Sequence, residues 1–418
     1  MHSASSPQAS GSAGARMRPP LHPPLPSARL ARALFIAAFF LPLLLAGCRR
    51  KRFPHYPADF REYAWVTNAG SNSVTVLDLV NMQPAGTIAV GPVPVAIAVN
   101  PARNEVYVVN SGGSSVSVID AEKNRAVASI PVHRGPVSID VDRGGERAWV
   151  ANSASNNVSV LDLVRRREIA AVGVGESPAM ARISPDGDTL VVANRGSGSV
   201  SILDAHSLAL RAVFTGCPQA SDTVILPDSS QAFVACTGGH QVMAIGLARR
   251  QTQIPELRAD HLRALLDVGP TPVHLALKPD GGEIFVSNFG SDTISEIATG
   301  SDEVGGAYVV GEHPSGGIVS ADNSEFWVSN YAANTVAAYS IDDGQLDHTV
   351  QVGSGPGPLA FSSDGFLLLA VDALSGDVSV VRTISYTPQG QTITGSLFTV
   401  LAAGKQPGAI AVKSFRVH

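Results

Sequence analysis

The chain has 418 residues, 16% of them charged, and a formal net charge of −5. With no basic excess it lacks the electrostatic footprint of a duplex nucleic-acid binder, so no nucleic-acid partner is expected. Few charges, 44% hydrophobic residues, 40 glycines and 28 prolines argue against a helical protein and for short strands joined by tight turns.

In chain order, residues 1–28 are rich in Pro, Ser and Ala and carry no strand or helix period. Arg29 and Arg32 then precede an apolar run from Ala33 to Leu44, and Leu45-Ala46-Gly47-Cys48 follows. A positive region, a short apolar core and small residues before a cleavage point form a secretory signal. The run is too short to span a membrane comfortably. "LAGC" resembles the lipobox of bacterial lipoproteins, which implies that Cys48 becomes the first mature residue and carries lipid. Residues 1–47 are therefore expected to be a signal peptide with a long N-terminal extension, in which Met17 is an alternative start. Residues 48–61 are expected to be a lipidated tether whose Arg49, Arg50, Lys51 and Arg52 sit near anionic head groups.

From residue 62 the chain repeats itself. "EVYVVNSGGSSVSVID" (105–120) returns 42 residues later as "RAWVANSASNNVSVLD" (147–162). The Asn closing the first phrase falls at Asn68, Asn110, Asn152 and Asn194, then gives way to Cys236, and continues after a ten-residue insertion at Asn288, Asn330 and Asp372. Three residues earlier stand Trp65, Tyr107, Trp149, Val191, Phe233, Phe285, Trp327 and Leu369. An interval of this length is that of a four-stranded propeller blade. In the second unit the strands read "VAIAV" (95–99), "VYVV" (106–109), "VSVI" (116–119) and "AVASI" (126–130), rich in β-branched residues. The first unit lacks its first strand, and the chain ends in an unpaired one, "GAIAV" (408–412). The tail is expected to complete the first blade beside residues 63–67. That closes an all-β ring of eight blades over 62–418 and removes two sheet edges. Seven blades follow if the fifth or the last unit forms none.

"YAWVTN" and "EVYVVN", followed by "SNSVTVLD" and "SSVSVID", resemble the YVTN β-propeller repeat family over roughly residues 62–412. The resemblance implies a propeller of the kind common in exported and surface proteins of bacteria and archaea, more distantly similar to propeller lactonases and to the haem-binding propeller of a nitrite reductase. The fifth unit departs from the pattern at "FVACTGG", and the last three lose the Asp held earlier at Asp78, Asp120, Asp162 and Asp204. These Asn and Asp residues read as turn caps.

First strands line a propeller's central channel, and alternate residues of a strand point to opposite sides. One inward ring reads Ala96, Ser138, Met180, Asp222, His274, Gly316, Pro358 and Ala409; the next includes Asp140 and Arg182. Asp140 and Arg182, on neighbouring blades, suit a salt bridge. Asp222 and His274 suit a structural pair, a polarised acid–base histidine or half a metal site, and no third ligand completes a metal site. At the channel mouth the loops before first strands carry His133, Arg134, Glu176, Glu312 and His313, joined by Arg195 and His240 after second strands. Arg134, Arg195 and His313 make a rim suited to a small polar or anionic ligand. Cys217 and Cys236 flank the fifth unit's first two strands, and antiparallel pairing with an exported location suits a disulfide. Insertions near 249–261 and 383–393 are expected to project from the opposite face.

No GxSxG, HExxH, Gly-rich phosphate loop or CxxCH motif occurs, so no catalytic residue, cofactor or metal is assigned. The leading expectation is a lipid-anchored binding or scaffold protein of the cell envelope. It would be held at the membrane through Cys48, on the periplasmic side of the outer membrane or at the cell surface, and would engage a protein, peptide or glycan. A lactonase-like hydrolase with a site in the channel and an accessory of periplasmic electron transfer are the alternatives.

Overall fold

The computed structural model describes residues 56–249, 258–386 and 392–417, which belong to one compact unit. The expected signal, Cys48 and most of the expected tether lie outside the described residues, as does the greater part of the first insertion. The described chain folds into eight four-stranded antiparallel sheets with almost no helix. In blade two the inner strand is Pro94–Val99, followed outward by Glu105–Asn110, Ser115–Asp120 and Arg125–Pro131. Blade one is composite. Its second strand, Phe60–Asn68, pairs with the C-terminal strand Pro407–Arg416, with Ala64 opposite Val412 and Val66 opposite Ile410. The closing pair is longer than the sequence suggested, reaching Phe60 and Arg416. The described part of the second insertion extends a hairpin: Ile384 pairs with Thr394 and Tyr386 with Thr392.

The core is divided among the blade interfaces, and the bulky column explains why. Trp65 packs with Val106 and Val108 of blade two, Tyr107 with Val150 of blade three, and Trp149 with Val192 of blade four. The pattern runs on through Phe233, Phe285 and Trp327 until Leu369 of blade eight meets Ala64 and Val66 of blade one. Each large side chain of this column, at most 2% exposed, fills the space between two sheets. A blade alone would leave that face in water, so the ring stabilises itself only when closed.

The Asn column closes the turn after each second strand. The Asn110 side-chain amide donates to Ser115 and Ser117 at 3.1 and 2.9 Å, and Asn194 does the same to Ser199 and Ser201. Opposite each such Asn stands the loop that enters the inner strand. In most blades this place is a glycine, and a Cβ on Gly91, Gly269 or Gly311 would lie 2.6–2.7 Å from the carboxamide of Asn110, Asn288 or Asn330; blade three carries His133 there instead. Asp78, Asp120 and Asp204 cap the next hairpin by accepting from backbone N–H groups two and three residues on, such as Val80 and Asn81 for Asp78.

A second device fixes the mouth of the ring. The residue before each inner strand is left-handed: Val93, Gly135, Ser177, Gln219, Thr271, His313, Gly355 and Gln406 all have φ between +47° and +66°. The loop after each second strand also contains a left-handed residue, such as Asn72, Asn156, Asp292 or Asn334. At five entries the side chain of the second accepts the N–H of the first. Val93, Ser177, His313 and Gly355 donate to the Oδ1 of Asn72, Asn156, Asp292 and Asn334 at 2.8–3.0 Å, and Thr271 to Nδ1 of His240 at 3.4 Å. Asn, Asp and Gly predominate in the acceptor column because they tolerate left-handed backbone.

Candidate functional site: an inner-strand relay and a rigid collar

Four of the residues singled out in the sequence meet on the inner strands. Asp140, in Pro136–Val141 of blade three, accepts the Ile183 N–H of blade four at 2.9 Å and lies 3.4 Å from the Arg182 guanidinium. Arg182, in Pro178–Ile183, donates onward to the Thr223 carbonyl of blade five. Asp222, in Ala220–Ile225, accepts the Leu275 N–H of blade six and pairs with His274 Nδ1, both at 2.9 Å. His274, in Pro272–Leu277, reaches the Gly317 carbonyl of blade seven with Nε2 at 2.9 Å. A carbonyl only accepts, so Nε2 carries a proton, and Nδ1 faces a carboxylate. Five consecutive blades are thus tied edge to edge by side chains at positions that are apolar or small elsewhere in the ring.

The electrostatics follow from this enclosure. Burial opposes charge on His274, but the hydrogen bond and charge of Asp222, aided by the Gly317 carbonyl, override it and raise the imidazole pKa. Burial pushes the Asp222 carboxyl up; the His274 hydrogen bond and charge, with Arg182 and the Leu275 N–H, outweigh it and hold it below its ordinary value. The pair is an ion pair with both imidazole nitrogens committed to the protein. In this arrangement Nδ1 faces Asp222 and Nε2 donates to the Gly317 carbonyl, so each imidazole nitrogen has a protein partner. Among the described residues no group of three His, Cys, Asp or Glu is placed to hold a metal ion. Beside the relay, a shallow depression of about 210 Å³ is lined by Arg182, Pro185, Thr223 and Leu277.

Arg134, Arg195 and His313 lie on the collar face, on different blades, and no hydrogen bond, ion pair or ring contact joins them among the described residues. The His313 ring stacks on Phe289 at 4.5 Å and 14°, with Nδ1 3.0 Å from the Phe289 carbonyl, and Tyr331 stands at an angle to the same Phe. Arg195 borders a hollow of about 430 Å³ together with Gly196, Gly198, Gly216 and Gln219. Sequence reasoning did not single out Phe289, Tyr331 or Gln219. Phe289 and Tyr331 share the column of Arg195, one residue after the Asn, and that shared column was the available signal.

Cys217 and Cys236 form a disulfide, their Cα atoms 4.7 Å apart. Both are fully buried, with Met243 beside them. Cys236 occupies the Asn position and Cys217 the facing Gly position, so a covalent bond replaces the Gly–Asn contact in blade five.

Residues 55–184 match the model of the YNCE-like beta-propeller family. That match lies in the first blades of what is, over its described residues, an eight-bladed β-propeller. No curated protein matches it. Among solved structures it is similar to AztD of Citrobacter koseri, at 13% identity over 86% of this chain and 100% of that one, with a TM-score of 0.63. It is also similar to the dihydro-heme d1 dehydrogenase NirN, at 17% identity over 87% and 76% with a TM-score of 0.62. A putative 6-phosphogluconolactonase of Bacteroides fragilis matches at 13% identity over 86% and 100%, with a TM-score of 0.56. At such identities the likeness establishes the fold alone, and these neighbours differ in function on a shared scaffold.

Proposed function

We propose that this propeller is an exported binding protein of the cell envelope, anchored by lipid at Cys48, that presents its collar face to a protein, peptide or glycan. The observation that carries this reading is the contrast between channel and collar. In the channel, both nitrogens of His274 are engaged and Asp222, Asp140 and Arg182 bond to one another or to backbone. On the collar, Arg195 is exposed and the stacked Phe289–His313 pair meets solvent on a backbone pinned by side-chain hooks. A rigid rim with exposed cationic and aromatic groups suits recognition, since little conformational freedom is lost on binding. The lipobox-like "LAGC" and the basic residues after it support an envelope location.

Site-specific photo-crosslinking in intact cells tests the reading. A crosslinker at Phe289 on the collar is expected to capture one envelope component that a crosslinker at Asp142, on the opposite face, does not. Capture only from Asp142 would overturn the assignment of the face. Fatty-acid labelling is expected to vanish in Cys48→Ser; labelling that persists removes the anchor. Hydrolysis of a lactone or ester panel that is lost in His274→Ala would replace binding with catalysis.

A further inference from the structure

The collar hooks form a template with a gap. In five blades the N–H of the left-handed residue before the inner-strand proline donates to an Asn, Asp or His side chain 21 or 31 residues earlier. At the entry to blade five the corresponding donor is Gln219, with φ +53°, and the residue 21 earlier is Gly198, with φ +58°. Glycine brings no acceptor, and no protein atom accepts the Gln219 N–H among the described residues. Gln219 and Gly198 both line the hollow of about 430 Å³ that Arg195 borders. The Arg195 side chain is exposed, with no hydrogen bond or ion pair of its own among the described residues. Gly216, at φ +91°, has nothing within 4 Å of where a Cβ would stand, which leaves the approach open. Gly135 faces Ser114 and Gln406 faces Gly376 in the same relation without a hook, but there the place of Arg195 is taken by Ser111 and Ala373.

We propose that this hollow binds an oxyanion, a carboxylate or phosphoryl group of a ligand, whose oxygen takes the place that an Asn Oδ1 fills in neighbouring blades. The Gln219 N–H donates to it and the Arg195 guanidinium supplies the charge-assisted partner. A guanidinium and an aligned backbone N–H suit the planar carboxylate or a phosphate edge. This rests on the reading of the collar as the ligand face and names the ligand chemistry of one sector.

The test is a titration of the full-length protein with inorganic phosphate and, separately, with acetate, followed at the Gln219 amide by nuclear magnetic resonance. A saturable shift is expected, and the tighter of the two anions tells a phosphoryl from a carboxylate ligand. Arg195→Ala is expected to weaken binding at least tenfold. Gly198→Asn is expected to abolish it by supplying the missing acceptor. Its Cβ would stand 3.4 Å from its nearest neighbours, in ordinary contact, and Asn already occupies this left-handed place at Asn72, Asn156 and Asn334, so the variant keeps the fold. Gly376→Asn is expected to change nothing. Absence of a saturable shift, or binding undiminished by Gly198→Asn, overturns the site. If that happens while collar crosslinking persists, the binding face stands and only its oxyanion chemistry is lost.

Discussion

Blade five and its neighbours solve one packing problem with two chemistries. In most blades the loop entering the inner strand approaches the end of the second strand so closely that only glycine fits, and the facing Asn hydrogen-bonds the third strand. Blade five keeps the approach and changes its content: Gly becomes Cys217, Asn becomes Cys236, and the hydroxyl that would receive the Asn amide becomes Met243. Blade eight keeps the glycine, Gly353, but replaces Asn with Asp372. The geometry belongs to the repeat, then, and the chemistry that holds it is exchangeable. The cost of each exchange depends on what the new groups leave unsatisfied.

The largest test asks whether any single blade matters as much as the ring. Deleting residues 407–418 removes the inner strand of blade one and exposes Ala64, Val66 and the flank of Leu369. Loss of cooperative unfolding and aggregation through the open edges are expected, read by circular dichroism and light scattering. A truncated chain that melts as the intact one does would show that closure is dispensable.

Within blade five, Cys217→Ser with Cys236→Ser is expected to lose about 3 to 4 kcal/mol, from the cross-link and from two polar groups left in an apolar cluster. The triple change Cys217→Gly, Cys236→Asn and Met243→Ser rebuilds the arrangement of the other blades. In chemical denaturation it is expected to be more stable than the serine pair. Equal stability of the two variants would mean that the Gly–Asn contact and the disulfide are not alternatives for one role.

Blade eight sharpens the comparison through pH. Burial, together with neighbouring Asp377, raises the Asp372 carboxyl from 3.8 to about 7, despite the Ser379 hydroxyl and N–H that favour its anion. The protonated acid suits the fold, so its contribution is complete below about pH 4 and is lost as pH climbs through about 7. Asp372→Asn makes the site a neutral amide at every pH. It is expected to stabilise the protein at pH 8 by on the order of 2 to 3 kcal/mol and to change it little at pH 4. Melting curves across that range decide it; a parallel loss at both pH values would show that the carboxylate itself is required.

Most of the ring was legible in the sequence because its determinants are local letters in a fixed frame. The Trp65, Trp149 and Trp327 column, the Asn column and the unpaired "GAIAV" gave blade count, register and closure. The pairing of Asp222 with His274 was legible for the same reason, since both lie at one level of adjacent inner strands. That Nε2 of His274 is spent on Gly317 was not, because a backbone carbonyl has no letter of its own. The oxyanion hollow was hidden differently. Arg195 stood out as a charge, but the missing acceptor is a glycine at position 198, and a glycine is informative there only once Asn72, Asn156 and Asn334 are seen to donate a role to their column.

The smallest expected effect concerns an ordinary blade and asks whether the glycine is as constrained as the geometry implies. A Cβ at Gly91 would stand 2.7 Å from the Asn110 carboxamide, which is itself fixed by Ser115 and Ser117. Gly91→Ala is therefore expected to cost about 1 to 2 kcal/mol through overcrowding of a side chain that cannot rotate away without losing two hydrogen bonds. Gly187→Ala is the comparison. Nothing lies within 4 Å of its Cβ position, and its penalty arises from its left-handed φ of +79° rather than from contact. Combining Gly91→Ala with Asn110→Ser separates the two causes. If crowding is the cause, the second change removes the obstacle, and the pair is less damaging than the sum of the single variants. Additive losses would place the cost in the backbone, and the exchange of Gly–Asn for Cys–Cys in blade five would then need a cause other than space.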